Sequence, residues 1–198
     1  KYPPWADQQS EVGTFESAIN ALDEDAFVIL RQDDDDKDST FGSQVSTAGD
    51  VNGDGYDDVL VGASEAKGTG RVYIFFGGDR STLTDYGAWD LTNSKHFPIT
   101  RGFRIEGDAN FQGVGQSIAG GFDLNDDGFD DFIIGLGASS KNDDAGEAVL
   151  VYGTNDFDRS ILPLRNLAGK GGSMNPRGVI LALKNKDGAG RKALLGLE

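Results

Sequence analysis

Short apolar runs, separated by Gly, Asp and Asn, fill the middle of the chain. In one stretch they fall at residues 102–106, 116–121, 131–135 and 147–152. These runs are rich in Val, Ile, Phe and Tyr, and turn-forming residues bound them, which is typical of strands. Helical periodicity is weak and confined to residues 14–22. The pattern therefore predicts an all-β fold made of short strands.

The pattern occurs twice. Residues 41–64 (FGSQVSTAGDVNGDGYDDVLVGAS) align without a gap with residues 114–137, and residues 70–78 align with 146–154. A further short apolar stretch precedes each copy, at residues 27–30 and 103–105. Four short strands in a repeat of this size are typical of a β-propeller blade. We therefore expect two blade-like repeats.

These repeats suggest a division of the chain into four segments. They are a lead-in at 1–26, a first blade with its connector at 27–100, a second blade at 101–160, and a segment at 161–198. The last part differs in charge, because residues 165–198 hold seven basic and two acidic residues. It is interpreted either as a basic tail or as a degenerate third repeat, since Asn185, Asp187 and Gly188 echo the repeated acidic segment.

Composition excludes several functions. The 198 residues carry a net charge of -15, which argues against nucleic acid and anionic membrane surfaces as partners and suits a protein that holds cations. The chain has no cysteine, so disulfides, thiolate metal sites and cysteine nucleophiles are excluded. No apolar run approaches the roughly 20 residues of a membrane-spanning helix, so no membrane insertion is expected.

The strongest chemical signal is a nine-residue acidic loop, DVNGDGYDD at residues 50–58 and DLNDDGFDD at residues 123–131. Oxygen-bearing side chains occupy positions 1, 3, 5 and 9, glycine occupies position 6, and an aromatic residue at position 7 offers its backbone carbonyl. Such hard oxygen ligands on a tightly turned loop favour Ca²⁺ over zinc or copper. The sequence thus predicts about two Ca²⁺ ions, with ligands Asp50, Asn52, Asp54, Tyr56, Asp58, Asp123, Asn125, Asp127, Phe129 and Asp131.

An EF-hand shares the first nine positions of this loop. It also needs a bidentate Glu at position 12 and a helix on each side. Position 12 is Val61 in the first copy and Ile134 in the second, and the flanking residues have the pattern of strands. The EF-hand is therefore disfavoured.

Together these motifs resemble the FG-GAP repeat of integrin α-chain β-propellers. Phe41 and Gly42 match the "FG" of the family, residues 61–64 match its "GAP" segment, and the acidic loop lies between them. Residues 114–115 and 134–137 are degenerate versions of the same segments. The resemblance implies a partial β-propeller, with Ca²⁺ bound in both loops. Because a closed propeller of this family has seven blades, it also implies that further blades, from the parent chain or from other copies, complete it.

Catalytic interpretations find little support in the residues. His96 is the single histidine, and no nucleophile motif accompanies it. Residues 33–37 (DDDDK) fit an acidic surface turn. Carboxylate pairs for glycosidase chemistry need different environments, whereas here the carboxylates recur in regular ligand spacing. We therefore expect that the protein is not an enzyme.

The expected function is a calcium-binding module that mediates adhesion or ligand binding, with an unknown protein or glycan as ligand. Extracellular calcium modules bind at about 10⁻⁴–10⁻³ M, which predicts an extracellular or cell-surface location. Two alternatives remain open at this stage. One is a non-catalytic accessory region of an extracellular phospholipase- or glycan-active hydrolase, and the other is a structural spacer in a large repetitive surface protein.

Overall fold

Nine strands form the fold, in a computed structural model that describes residues 40–79, 99–109, 112–137, 147–157, 161–164 and 178–182. No complete α-helix lies within these ranges, Leu164 at the end of one range is helical, and a single 3-10 turn lies at Ala66–Gly68. The predicted all-β class is confirmed. The strands are β1 Gln44–Gly49, β2 Asp58–Ala63, β3 Arg71–Phe75, β4 Gly102–Glu106, β5 Ser117–Phe122, β6 Asp131–Leu136, β7 Glu147–Val151, β8 Ile161–Pro163 and β9 Gly178–Ala182.

The strands form two sheets. The first has the order β1-β2-β3-β4-β8, and the second has the order β5-β6-β7-β9. Neighbours pair antiparallel except β4 and β8, which are parallel. Each sheet therefore begins with a three-strand meander, and each acidic loop joins the first two strands of its meander.

Sheet membership differs from the sequence repeat by one strand. The run at 102–106 precedes the second copy in sequence, but β4 pairs with β3, with Phe103 opposite Ile74 and Arg104 opposite Tyr73. The fourth strand of the second sheet is β9, which pairs with β7 along its whole length. Each sheet is thus completed by a strand from beyond its own repeat.

Several sequence predictions lie outside the described residues. They are the lead-in at 1–26, the apolar stretch at 27–30, the acidic run at 33–37, His96, and the echo of the acidic loop near Asn185. Within the described ranges, no helix is long and apolar enough to cross a membrane.

The main core lies between the two sheets. One face of each sheet contributes fully buried aliphatic and aromatic side chains to it, including Leu60, Ile74, Phe103, Ile105, Phe132, Ile134, Val149 and Val151. Alternate residues of β2 and β3 point to the other face of the first sheet, where Val61, Tyr73 and Phe75 form a smaller cluster. Phe41, of the FG motif, packs edge-on against Tyr73 with ring centroids 5.2 Å apart. The motif phenylalanine therefore covers the second face.

The first strands of the two sheets lie side by side, and a glycine sets their separation. A Cβ atom on Gly120 of β5 would lie 3.0 Å from the Ala48 Cα of β1 and 2.9 Å from the Phe132 Cβ. The distance to Phe132 is below any real Cβ contact, and the distance to Ala48 is tighter than nine in ten of them. Glycine at this position therefore relieves crowding both within the second sheet and between β1 and β5.

The sheets also meet at the opposite end of the strands. The Val114 N–H donates to the Thr69 carbonyl at 3.1 Å, and Gly70 forms an isolated parallel bridge with Val114. The segment that leads into β5 therefore rests on the turn between β2 and β3. With the contacts at the acidic loops described below, the sheets are joined at both ends.

We predict that Gly120→Ala destabilises the protein, because the added methyl crowds Phe132 in its own sheet and the backbone of β1 in the other. Overpacking of this kind costs about 1–3 kcal/mol of unfolding free energy, measurable by urea denaturation. Ala119→Val is the matched control, since Ala119 is exposed on the same strand. A change within about 0.5 kcal/mol is expected there. Equal stability of the two variants would contradict the proposed close contact.

Candidate metal centre

The two acidic loops leave their sheets at equivalent places. Residues 50–58 connect β1 to β2, and residues 123–131 connect β5 to β6. A register irregularity precedes each loop, between Thr47 and Gly49 in β1 and between Gly120 and Phe122 in β5. Such a bulge turns the strand at its end. The structure thus brings the predicted residues of each copy together in one tight loop.

In the first loop, the Asp50 carboxylate stabilises the tight turn of the backbone. Its Oδ1 accepts the N–H groups of Gly53 and Asp54 at 2.7 and 3.0 Å, and its Oδ2 accepts that of Gly55 at 2.8 Å. Gly55 has a φ of +90°, which only glycine adopts readily. Position 6 is therefore glycine for the conformational reason that the sequence predicts.

Positions 3 and 5 of the first loop point to the same place. The Asp54 N–H is shared by the Asp50 Oδ1 and by the Asn52 Oδ1, which accepts it at 2.9 Å. The Asn52 Nδ2 donates to the Asp54 Oδ2 at 2.8 Å. Hydrogen bonds thus link the side chains of three predicted ligands within one turn of chain.

The second loop has the same scaffold. The Asp123 carboxylate accepts the N–H groups of Asp127 and Gly128 at 3.1 and 2.8 Å, and the Asn125 Nδ2 donates to the Asp127 Oδ2 at 2.8 Å. The Phe129 N–H donates to the Asp127 Oδ1 at 3.0 Å. Recurrence of these hydrogen bonds in both copies indicates that the nine-residue pattern favours this loop conformation.

The position-9 carboxylates are buried at the base of the loops. Asp58 is 1% exposed, and its two oxygens accept the N–H groups of Val51 at 3.0 Å and Gly77 at 2.8 Å. In the second loop, the corresponding hydrogen bonds to Asp131 come from Leu124 at 2.9 Å and Gly153 at 3.0 Å. Each position-9 residue therefore links its own loop to the glycine that follows the third strand of the sheet.

Burial makes these two carboxylates electrostatically unusual. It raises the pKa of Asp58 to about 7, the two backbone N–H groups oppose the rise, and the charges of Asp54 and Asp50 add to it. Burial likewise raises the pKa of Asp131, with contributions from Asp127 and Asp123. The influence of positions 1 and 5 on position 9 indicates a cluster of negative charge in each loop.

The donor set fits Ca²⁺, although the side chains are not arranged around a common point. Among the described residues, no group of three or more acidic or histidine side chains could hold a metal ion as it stands. The carboxylate oxygens instead accept hydrogen bonds from loop amides. A carboxylate oxygen with one such bond keeps a lone pair for a cation. The Asp54 and Asp127 side chains, which are exposed, each have an oxygen with such a lone pair.

The aromatic residues at position 7 differ between the copies. The Tyr56 side chain is 44% exposed, whereas Phe129 is half-buried against the first loop. A Cβ atom on Gly53 would lie 2.5 Å from the Phe129 Cε1. The ring of the second loop therefore packs directly on the backbone of the first.

Backbone hydrogen bonds join the two loops at the same place. The Asp50 N–H donates to the Asp130 Oδ2 at 2.9 Å, and the Asp130 N–H donates to the Asp50 carbonyl at 3.0 Å. The Thr154 N–H donates to the Val51 carbonyl at 2.8 Å. We name these contacts, with the packing of Phe129 on Gly53, the loop junction.

Sequence reasoning missed three residues that organise the site. Gly77 and Gly153 supply N–H groups to the position-9 carboxylates, and Asp130 joins the loops. The two glycines occupy equivalent places in the aligned segments 70–78 and 146–154, so repetition was an available signal for them. Asp130 also recurs, as Asp57, but its role in joining the loops does not recur, because Asp57 is exposed.

Comparison with known proteins agrees with the motifs. Residues 41–75, which span β1 to β3, match the family model described as the FG-GAP repeat. The chain is 36% identical over 112 residues to integrin alpha-PS5 of Drosophila melanogaster, covering 57% of this chain and 10% of the relative. It is 34% identical over 96 residues to integrin alpha-M of Mus musculus, covering 48% of this chain and 7% of the relative.

The match to these relatives is therefore partial, since the chain spans about a tenth or less of their length. It nevertheless agrees with the FG motif, the acidic loop and the all-β meander. The chain therefore contains FG-GAP repeat sequence of the type found in integrin α chains.

Proposed function

We propose that the chain is a non-catalytic, Ca²⁺-stabilised module of a partial β-propeller, and that it mediates adhesion or ligand binding at the cell surface or outside the cell. The observation that carries the proposal is the pair of acidic loops, which share sequence and hydrogen-bond scaffold. Likeness to integrin α chains over about half of this chain supports the adhesive role. The ligand would be a protein or a glycan, and further blades would come from the parent chain or other copies.

The proposed ligands are the residues at positions 1, 3, 5 and 9, with the backbone carbonyl at position 7. When bound, a divalent cation neutralises the carboxylates of the loop. The Asp50 and Asp123 carboxylates stabilise the turn of each loop by accepting hydrogen bonds from backbone N–H groups. Asp58 and Asp131 link the loop to the end of the third strand. Ion binding would thus stabilise the hairpin and the sheet edge to which it is tied.

Repetition argues for this role over catalysis. A general acid and a general base need environments that separate their pKa values. Here the equivalent residues Asp58 and Asp131 both have a raised pKa, for the same cause, burial. Two loops with the same electrostatics are better suited to holding two like ions than to dividing one reaction between them.

We predict that Asp54→Ala combined with Asp127→Ala removes most of the stabilisation by Ca²⁺. For sites with dissociation constants of about 10⁻⁴–10⁻³ M, 5 mM Ca²⁺ adds about 1–2 kcal/mol per site. Calorimetric titration and thermal melts with and without Ca²⁺ measure the loss. The matched control, Asp57→Asn combined with Asp126→Asn, alters two loop acids that are not proposed ligands. A double Ala variant that retains the full rise in melting temperature would contradict the ligand assignment.

We also predict a pH dependence of the metal-free protein. Because the folded-state pKa of Asp58 lies above its unfolded value, the folded state favours the protonated form. The unfolding free energy should fall as pH rises from about 4 to about 7, by up to about 1.4 kcal/mol per pH unit for this group.

Urea denaturation between those pH values, in ion-stripped buffer, measures this dependence. Asp58→Asn should have a shallower slope, whereas the exposed Asp57→Asn should keep it. Millimolar Ca²⁺ should reduce the slope in the unmodified chain, since a bound cation favours the ionised carboxylate. Equal slopes for all three proteins would show that Asp58 does not titrate in this range.

A further inference from the structure

The loop junction is asymmetric, although the loops that form it are repeats. Phe129 and Asp130 of the second loop pack on Gly49, Asp50 and Gly53 of the first loop. Two of these residues are glycines, and the contact leaves no room for a side chain on either. A Cβ atom on Gly49 would overlap the Asp130 side chain, and one on Gly53 would lie 2.5 and 3.0 Å from the Phe129 Cε1 and Cδ1.

The second loop lacks both glycines. Residues 49 and 53 correspond to Phe122 and Asp126 in the gap-free alignment of the copies. The backbone at position 4 is the same, with a φ of +75° at Gly53 and +59° at Asp126. At this position the Asp126 side chain would occupy the space that an approaching aromatic ring needs. At the other position the backbone differs as well, because Gly49 has a φ of +71° that Phe122 does not share.

Exposure of equivalent residues agrees with this difference. Val51 is fully buried beneath the second sheet, whereas its equivalent Leu124 is 63% exposed. On the approaching side, Phe129 is half-buried, whereas its equivalent Tyr56 is 44% exposed. Among the described residues, the second loop covers the first, whereas Leu124 of the second loop and Tyr56 and Asp57 of the first are exposed.

We propose that Gly49 and Gly53 allow the first loop to pack against the acidic loop of a neighbouring repeat. Phe122 and Asp126, at the equivalent positions, prevent the second loop from making the same contact. The exposed edge at Tyr56 and Asp57 fits an acidic loop of another repeat that carries glycine at both of these positions. Asp57 would accept the N–H of the first Asp of that loop, as Asp130 does from Asp50. The proposal does not depend on ion binding.

A double-mutant cycle tests this role of Gly53. Gly53→Ala adds both a clash with the Phe129 ring and strain at a positive φ, whereas in a Phe129→Ala background only the strain remains. We expect Gly53→Ala to lower the melting temperature by several degrees in the parent and by much less in that background.

Gly55→Ala is the matched control for this cycle. Gly55 has a φ of +90°, but a Cβ atom there would meet nothing within 4 Å. Its effect on the melting temperature should be the same with and without the Phe129 ring. If Gly53→Ala behaves like Gly55→Ala, with no coupling to Phe129, the proposed steric role of Gly53 is wrong.

The exposed edge is tested with the chain itself as the partner. Phe122→Gly combined with Asp126→Gly gives the second loop both glycines, so this variant should associate head-to-tail through Tyr56 and Asp57 of another copy. Sedimentation velocity should then show a sedimentation coefficient that rises with concentration more than in the unmodified chain. Adding Tyr56→Ala and Asp57→Ala should abolish the rise. A converted chain that sediments like the unmodified one at all concentrations would overturn the assignment of this edge.

Discussion

The buried carboxylates of Asp58 and Asp131 are the groups on which the rest of the structure depends. Each accepts one N–H from its loop and one from the glycine after the third strand, so a single side chain fixes a loop to a sheet. A buried N–H without a partner costs about 1–3 kcal/mol. Replacing either carboxylate with an apolar side chain would leave one buried N–H group, that of Val51 or Gly153, without its acceptor, which explains why aspartate occurs here despite burial.

That arrangement has an electrostatic cost, because a carboxylate without a countercharge is unfavourable where water is excluded. The raised pKa of Asp58 reflects this cost, increased by the neighbouring charges of Asp54 and Asp50. Two means of relief are open to such a group, protonation or a nearby cation. The proposed Ca²⁺ site follows from this constraint and from the hard oxygens that surround it.

The strands of one sheet are not all from one sequence repeat, and there is a physical reason for this. A sheet is completed by the strand that can pair with its edge, whichever copy that strand precedes. β4 lies ahead of the second repeat in sequence but completes the first sheet, and β9 completes the second. The loop junction adds a second link between neighbours, so each repeat depends on residues outside itself for its stability.

The sequence by itself determined the all-β class, the two repeats and the conformation of the acidic loops. These properties arise from local causes, namely alternating apolar residues, turn-forming glycines, and Asp or Asn side chains that bond to amides up to five residues away. Tertiary structure alone decided the pairing of β4 and the loop junction. Asp50 and Asp130 are 80 residues apart in the chain, and equivalent residues such as Val51 and Leu124 differ in burial. No local pattern specifies such contacts, because they depend on which neighbour covers each repeat.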